Sequence, residues 1–415
     1  MIRLVSFSLV TIFSVTAAAD FSQWPEFRGP TGQGLAEGGG PGKWSKTEGV
    51  VWKNEDVGKG WAGPLVVDDL VVLATARSKG EEMVLSVLAL DRASGEVRWE
   101  RELFRPTEEQ GMLFHSKNSY ASGTPVVADG VIYAHFSHMG TAALDLKDGK
   151  VLWKQHLEGA PKHGTGSSPV VVGDLLVVNV DAEPKPRVVA LNRENGEIVW
   201  ETARGVESTR PFSYSTPLLI ESDGQQQIVS TGSEMVGAYR PKDGKLLWEV
   251  RWEKRWSQIP RPVSDGKLVY LATGFMTPNV LAIDPAGAEG DVTETHVRWD
   301  RDRHGPKTPS FVCSHKCLYV IDDTGMLSGV DKKTGENLWQ EKLFGNFSAS
   351  LVLVDHSTLY AFTEDGVAYI VKVSPESGKV VFELDMEERV LASPAIVGGA
   401  LYLRTEEALW RIEGP

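Results

Sequence analysis

The sequence predicts an all-β fold, an eight-bladed β-propeller built from four-stranded antiparallel blades. A twelve-residue unit, seen as AALDLKDGKVLW at 142–153, recurs along the chain and ends in an aromatic residue. These aromatic residues follow one another at intervals of 40 to 54 residues, a length typical of one blade. No stretch shows the 3.6-residue hydrophobic period of a helix, which disfavours a helical solenoid. The aromatic residues are Trp52, Trp99, Trp153, Trp200, Trp248, Trp299, Trp339 and Phe382.

Each unit contains the signals of four strands. Segments such as TPVVADGVIYAHF and SPVVVGDLLVVNV give two short apolar strands joined by a Gly/Asp turn. The ALD-type piece supplies a third strand, and the aromatic residue lies in the fourth. Between them, Asp91 can hydrogen-bond its own turn and Gly95 can adopt a positive φ. Since a tryptophan such as Trp99 is large and rigid, we expect the aromatic residues to dock each blade on the next.

The two ends of the chain predict how the ring closes. Residues 391–414 supply only three strands, whereas GVVWKNE at 49–55 is a lone fourth strand. Pairing the two completes the eighth blade and removes an open sheet edge. A seven-bladed ring is the alternative, if the unit that ends at Trp299 is not a complete blade.

The N-terminal residues predict export. Residues 1–19 have the basic start, short apolar run and A-x-A pattern of a signal peptide. We therefore expect a periplasmic or extracellular protein that is soluble after cleavage. Residues 20–48, rich in Gly and Pro, predict an irregular strap, and residues 49–415 a single propeller domain. No later stretch approaches the roughly 18 apolar residues of a membrane span, so no integral membrane segment is expected.

Charge and cysteine content limit the possible partners. The chain has 43 Lys and Arg against 56 Asp and Glu, a net charge of −13, which disfavours binding to nucleic acid. Cys313 and Cys317 lie between two apolar runs, so we expect them to face one another across a hairpin as a disulfide. Two free thiols are the alternative. Two cysteines are too few for a structural zinc site, and no metal site is expected.

Polar residues precede each TPVV-like run, where the innermost strand of a blade opens at one mouth of the central channel. They are mainly basic and hydroxyl-bearing, so we expect a positive funnel suited to a small anionic ligand. The alternative is that they only hold backbone carbonyls and ordered water. The candidate ligand-binding residues are His115, Lys117, Asn118, His163, Arg210, Ser213, Arg261, Lys307 and Asn346. No nucleophile elbow or paired carboxylates mark a catalytic residue.

The repeat carries a family resemblance over nearly the whole chain. Copies such as ALDRASGEVRW (89–99) and ALDLKDGKVLW (143–153) resemble the tryptophan-docking repeat of the PQQ-like, quinoprotein-type β-propellers. The segments WPEFRGPTGQGLAEG, KNSYASGTPVV and NFSASLVLVD resemble exported members of the planctomycete type. Such proteins are similar to the propeller subunit of the outer-membrane β-barrel assembly machine.

The resemblance implies one of two functions. The first is a non-enzymatic binding or scaffold module for protein or glycan partners in the cell envelope, without a cofactor. The second is a PQQ-dependent oxidoreductase of alcohols or sugars, with PQQ and calcium in the funnel. Those enzymes use a vicinal Cys-Cys pair and large insertions over the funnel. This chain has neither, which favours the scaffold.

Overall fold

The computed structural model describes residues 19–107, 110, 115–164 and 166–414. The expected signal peptide lies outside the described residues except for its last position. Nearly all regular structure is β-strand, and a 3-10 turn at Ser137–Met139 lies within the second blade. No helix in the described part of the chain is long and apolar enough to cross a bilayer.

Eight sheets form the fold, each with four antiparallel strands, and a short parallel strand is added to the sheets of blade 7 (Leu35–Ala36) and blade 4 (Gly290–Asp291). The first strands of neighbouring blades contact one another around a central axis. The prediction of an eight-bladed propeller is confirmed, and the seven-bladed alternative is wrong because the unit that ends at Trp299 is a complete blade. The strands, innermost first, are Leu65–Val67, Leu70–Lys79, Glu82–Asp91 and Val97–Phe104 in blade 1; Val126–Ala128, Val131–His135, Thr141–Asp145 and Val151–Gln155 in blade 2; Val170–Val172, Leu175–Val180, Arg187–Asn192 and Ile198–Ala203 in blade 3; Leu218–Ser222, Gln225–Gly232, Met235–Tyr239 and Leu246–Arg251 in blade 4; Val263–Ser264, Val269–Ala272, Val280–Ile283 and Val297–Arg301 in blade 5; Val312–Cys313, Cys317–Ile321, Met326–Asp331 and Asn337–Lys342 in blade 6; Val352–Val354, Thr358–Phe362, Val367–Val373 and Gly378–Asp385 in blade 7; and Ala395–Val397, Ala400–Arg404, Leu409–Glu413 and Val50–Asn54 in blade 8.

Blade 8 closes the ring with strands from both ends of the chain. Val50–Asn54 pairs antiparallel with Leu409–Glu413, as expected from the sequence. The buried Arg404 adds a second connection, since its Nη1 donates to the carbonyls of Ala62 and Ala74 at 3.2 and 2.8 Å. The C-terminal part of blade 8 is therefore joined both to the N-terminal strand and to blade 1.

Six of the eight aromatic residues lie against a turn glycine of the following blade. A Cβ placed on that glycine would come within 2.4–2.8 Å of the indole ring, so only glycine fits. The ring of Trp153 covers Gly196 in this way, and its Nε1 donates to the carbonyl of Arg193 at 2.8 Å. The pairs are Trp52–Gly95, Trp99–Gly149, Trp153–Gly196, Trp200–Gly244, Trp299–Gly335 and Trp339–Gly378.

The other two aromatic residues make different contacts. Trp248 is fully buried, and its Nε1 donates to Gln227 of the same blade at 2.8 Å. A short fifth strand, Gly290–Asp291, covers this edge of blade 4. Phe382 packs on Trp44, with ring centroids 4.6 Å apart. The segment before the first propeller strand thus contacts the outer strand of blade 7 at the position where six other blades contact a turn.

Cys313 and Cys317 are two free thiols, not the expected disulfide. In the antiparallel pairing of the two strands, Cys313 lies opposite Leu318 and not opposite Cys317. The two side chains therefore lie on opposite faces of blade 6. Cys313 packs with Tyr270 of blade 5, and Cys317 with Leu353 of blade 7. Burial raises the pKa of the Cys313 thiol to about 12, so it is protonated and unreactive.

Candidate functional site

A cavity of about 600 Å³ lies on the propeller axis. Residues from all eight blades line it, mostly from the segments that lead into the innermost strands. No Asp or Glu is among the described residues that line it. Its walls carry six aromatic side chains, from Phe27, Trp61, Phe212, Tyr214, Trp256 and Phe275.

Five of the nine candidate ligand-binding residues line this cavity. They come from the connections that enter blades 2, 3 and 4. The five are His115, Lys117, Asn118, His163 and Arg210. The structure therefore brings together just over half of the set, all from one half of the ring.

Ser213 and Arg261 are buried outside the cavity lining, and their polar atoms contact backbone groups and, for Arg261, the Glu26 carboxylate at 2.9 Å. Ser213 Oγ lies 3.1 Å from the carbonyl of Gln258. Arg261 donates to the carbonyls of Pro217 and Phe27 at 3.0 and 2.6 Å. Both side chains hold the scaffold together and lie apart from the residues that line the cavity.

Lys307 and Asn346 lie at the rim and are also absent from the cavity lining. Lys307 Nζ lies 5.1 Å from the ring centroid of Phe275. Asn346 is exposed, and its carbonyl accepts a hydrogen bond from Glu364 N at 2.7 Å. Neither side chain reaches the cavity.

The mouth is less positive than the sequence suggested. Lys117 Nζ lies 2.5 Å from Glu364 Oε1 of blade 7, and Ser348 donates to the same oxygen at 2.6 Å. This ion pair neutralises one of the expected cations. Among the described residues no carboxylate pairs with Lys162 or Arg210, and Arg210 stacks 4.2 Å from the ring centroid of Trp256.

The two histidines of the lining stand edge to face, with ring centroids 5.9 Å apart. His163 also meets Phe212 edge-on at 5.5 Å. Burial, together with neighbouring His115 and Lys162, lowers the pKa of His163. His163 is therefore neutral at pH 7 and adds a polar edge to the wall, without positive charge.

The N-terminal strap crosses the face of the ring opposite the mouth and closes the cavity there. Trp24 pairs with Val66 in the first strand of blade 1, with N–H···O distances of 2.7 and 3.0 Å. Further along, Gln33 Oε1 accepts from Ser264 N of blade 5 at 2.6 Å. These contacts lie at the far ends of the innermost strands. The strap therefore sets Phe27 as the floor of the cavity.

Sequence reasoning missed most of the aromatic walls. Phe212 and Tyr214 precede the STP of blade 4 in PFSYSTP and were not among the predicted site residues. Their position ahead of the proline is the same one that marked the polar candidates, so the signal was present. Phe27 carried no such signal, because its contact with the cavity depends on the path of the strap.

The cavity does not fit the calcium-bound quinone of the PQQ enzymes. Calcium takes oxygen ligands, chiefly carboxylates, whereas no carboxylate is among the described lining residues. In the part of the chain that the structure describes, no three His, Cys, Asp or Glu side chains cluster as metal ligands. The two thiols also lie inside blade 6, away from the cavity lining.

A family model described as outer membrane protein assembly factor BamB matches residues 44–222, 232–290 and 323–414. The chain belongs to this family. A family member from Xanthomonas campestris pv. campestris is 25% identical over 344 residues, covering 68% of this chain and 79% of its own.

Solved structures share the fold. BamB from Moraxella catarrhalis is 13% identical with a TM-score of 0.59, covering 82% of this chain and 96% of that one. A europium-containing methanol dehydrogenase is 13% identical with a TM-score of 0.71, covering 92% of this chain and 89% of that one. At such identity the likeness concerns the fold alone, so the BamB-type propeller and the dehydrogenase propeller share one architecture.

Proposed function

We propose that this chain is an exported, non-enzymatic protein-binding scaffold that acts in outer-membrane protein assembly in the cell envelope. The observation that carries the proposal is the BamB family match across most of the propeller. The carboxylate-free cavity supports it, because that lining offers no paired acid and base for hydrolysis. The export signal expected at residues 1–19 accords with such a location.

The mouth face offers the docking surface for a protein partner. Phe344, in the connection that enters blade 7, is 76% exposed, and Met276 at the rim of the cavity is 54% exposed. Exposed large apolar side chains beside a polar rim are typical of protein interfaces. We therefore assign partner binding to this face, which carries Phe344, the most exposed of the large apolar side chains among the described residues.

A photo-crosslinking amino acid placed at position 344 or 276 in the native host tests this assignment. Crosslinks to components of outer-membrane protein assembly are expected from both positions. Leu152, 48% exposed on the outer strand of blade 2, is the matched control and should give none. Crosslinks to the same components from position 152 alone would contradict the proposed face.

The funnel is proposed as a separate site for a small anionic ligand. Lys162 and Arg210 supply positive charge without a carboxylate partner among the described residues, and Trp61 and Trp256 supply flat apolar faces. Such faces also stack on sugar rings, which keeps a glycan among the proposed partners. No observation favours the alternative of a PQQ-dependent oxidoreductase.

A further inference from the structure

A ring of hydroxyl groups surrounds the axis where the innermost strands begin. In six blades a Ser or Thr occupies the same position, and its oxygen accepts the backbone N–H of the matching residue in the preceding blade. Ser310 Oγ, for example, accepts from Arg261 N at 2.9 Å, and Ser350 Oγ from Ser310 N at 3.1 Å. The six are Thr124, Ser168, Thr216, Ser310, Ser350 and Ser393.

Each of these hydroxyls still has a proton to donate. A hydroxyl carries one O–H donor besides its acceptor lone pairs, and buried polar groups are nearly always hydrogen-bonded. No acceptor among the described residues takes the proton of the five members that line the cavity, which are Ser168, Thr216, Ser310, Ser350 and Ser393. Four of these five are at most 4% exposed. The cavity is therefore where their protons find an acceptor.

Two neighbouring serines differ from the hydroxyl ring because their hydroxyl protons are donated to backbone carbonyls. Ser167 Oγ donates to the carbonyl of Ser215 at 3.0 Å, and Ser215 Oγ donates to the carbonyl of Pro260 at 2.9 Å. Neither residue lines the cavity. The hydroxyl ring is thus distinct from serines that serve only to join blades.

We infer that the hydroxyl ring binds an oxyanion, a carboxylate, sulfate or phosphate group carried on a ring-shaped molecule. This inference rests on the proposed function, in which the funnel binds a small anionic ligand, and it names the groups that would bind the anion. Oxyanion oxygens only accept hydrogen bonds, and O–H···O⁻ bonds are about twice as strong as neutral ones. Several O–H donors in one lining without carboxylates therefore favour an anion over a neutral group.

The rest of the cavity fits the body of such a ligand. The aromatic side chains of the same lining, with Trp61 and Trp256 on different blades, suit a ring that stacks by its face. Lys162 and Arg210 lie in the same lining and add attraction for negative charge. An acidic sugar and an aromatic carboxylate share this chemistry.

Titration of the full mature chain with matched probes tests the inference. The acidic sugar is digalacturonate, with digalactose as its neutral partner. The aromatic acid is 2-naphthoate, with 2-naphthamide as its neutral partner. Calorimetry reports binding of each probe. We expect one acid or both to bind below millimolar and about tenfold tighter than the neutral partner. If neither acid binds better than its neutral partner, the inference is overturned.

Serine variants separate the hydroxyl ring from the funnel as a whole. The double variant Ser310→Ala/Ser350→Ala removes two ring donors, whereas Ser167→Ala/Ser215→Ala removes two serines that donate between blades. The ring variant should weaken binding of the acid about tenfold, while the control changes it less than threefold. Thermal unfolding checks each variant, and Ser393→Ala replaces the double variant if that one does not fold.

If a folded ring variant binds the acid as the wild type does, the hydroxyl ring is not the oxyanion site. The anionic ligand of the proposed function would survive that result, bound elsewhere in the funnel. The crosslinking of position 344 tests the scaffold independently, because no small ligand enters that measurement.

Discussion

At the scale of single residues, a turn can require glycine for its backbone conformation, for its packing against a tryptophan, or for both. Gly196 has a φ of +77°, and a Cβ there would meet the ring of Trp153 at 2.6 Å. Gly173 has a φ of +57°, but a Cβ there would meet nothing within 4 Å. The first glycine is required by both backbone and packing, and the second by backbone alone.

Gly196→Ala should therefore destabilise the protein more than Gly173→Ala. Both changes bear a left-handed backbone cost of about 1–2 kcal/mol. Gly196→Ala adds about 1–3 kcal/mol because the new methyl group must displace an indole ring. Urea denaturation of the two variants measures the difference, and equal losses would show that tryptophan docking adds no packing constraint.

His135 is a buried residue whose ionisation opposes folding. Burial, with a smaller contribution from His138, lowers its pKa to about 4, and its Nδ1 lies 2.8 Å from Thr141 Oγ1. Above about pH 6.5 the ring is neutral in both folded and unfolded chains, so it adds no pH dependence there. Below that pH the His135 imidazole binds a proton in the unfolded chain but not in the folded chain. The free energy of unfolding therefore falls as pH falls towards 4.

The variant His135→Asn should remove this loss. Between pH 7 and pH 4 the wild type should lose up to about 3 kcal/mol more than the variant. Urea midpoints at pH 7, 5.5 and 4 measure the difference. Parallel pH curves for the two proteins would mean that His135 takes up its proton in the folded state.

Residue roles could be predicted from the sequence where they depend on neighbours within a short motif, and not where they depend on distant partners. Turn glycines and docking tryptophans follow from a short motif, so their positions could be predicted. The neutralisation of Lys117 could not, because its partner Glu364 lies 247 residues away in a loop without a distinguishing pattern. Arg261 resembled a ligand-binding cation by position, but it is paired with Glu26 of the strap and with main-chain carbonyls, contacts that no local sequence pattern reveals.

At the scale of elements, polar groups buried between blades complement the tryptophan contacts. Arg204, which follows the last strand of blade 3, is paired with Asp181 of the same blade, and neither side chain is exposed. The guanidinium also donates to Ser230 Oγ in blade 4 at 2.9 Å. This network fixes blades 3 and 4 against one another.

Asp181→Ala should be strongly destabilising. It leaves the Arg204 charge buried without a counter-ion, which typically costs about 3–5 kcal/mol. Denaturant unfolding measures the loss. Asp243→Ala, which breaks the exposed pair with Arg240, is the control and should leave the unfolding midpoint unchanged. A wild-type midpoint for Asp181→Ala would show that water reaches this pair.

The strap shows where prediction of elements from the sequence ends. Its Gly/Pro-rich composition predicts an irregular segment, and Trp24 lies buried against blade 1. The strap closes the cavity through long-range contacts, such as the hydrogen bond from Leu353 N to Gly34 O at 2.8 Å. Composition shows that a segment lacks regular strands, but it does not show which surface the segment covers.

At the scale of the whole molecule, the repeat predicts the ring but not its use. Eight blades and the closure of blade 8 follow from repeat length and from complementary chain ends, which are visible in the sequence. The faces of the ring carry no repeated signal, since binding residues lie in the variable connections. Exposed Phe344 is one example, as it lies in a connection outside the repeat motif.

The central claim is that the mouth face holds a partner of outer-membrane protein assembly. Co-purification from the native host's gently solubilised envelope tests it with tagged wild type, Phe344→Asp and the outer-strand control Leu152→Asp. Components of outer-membrane protein assembly should co-purify with the wild type and with Leu152→Asp, and be lost with Phe344→Asp. A wild type that brings down none of them, or three proteins that behave alike, would contradict the account.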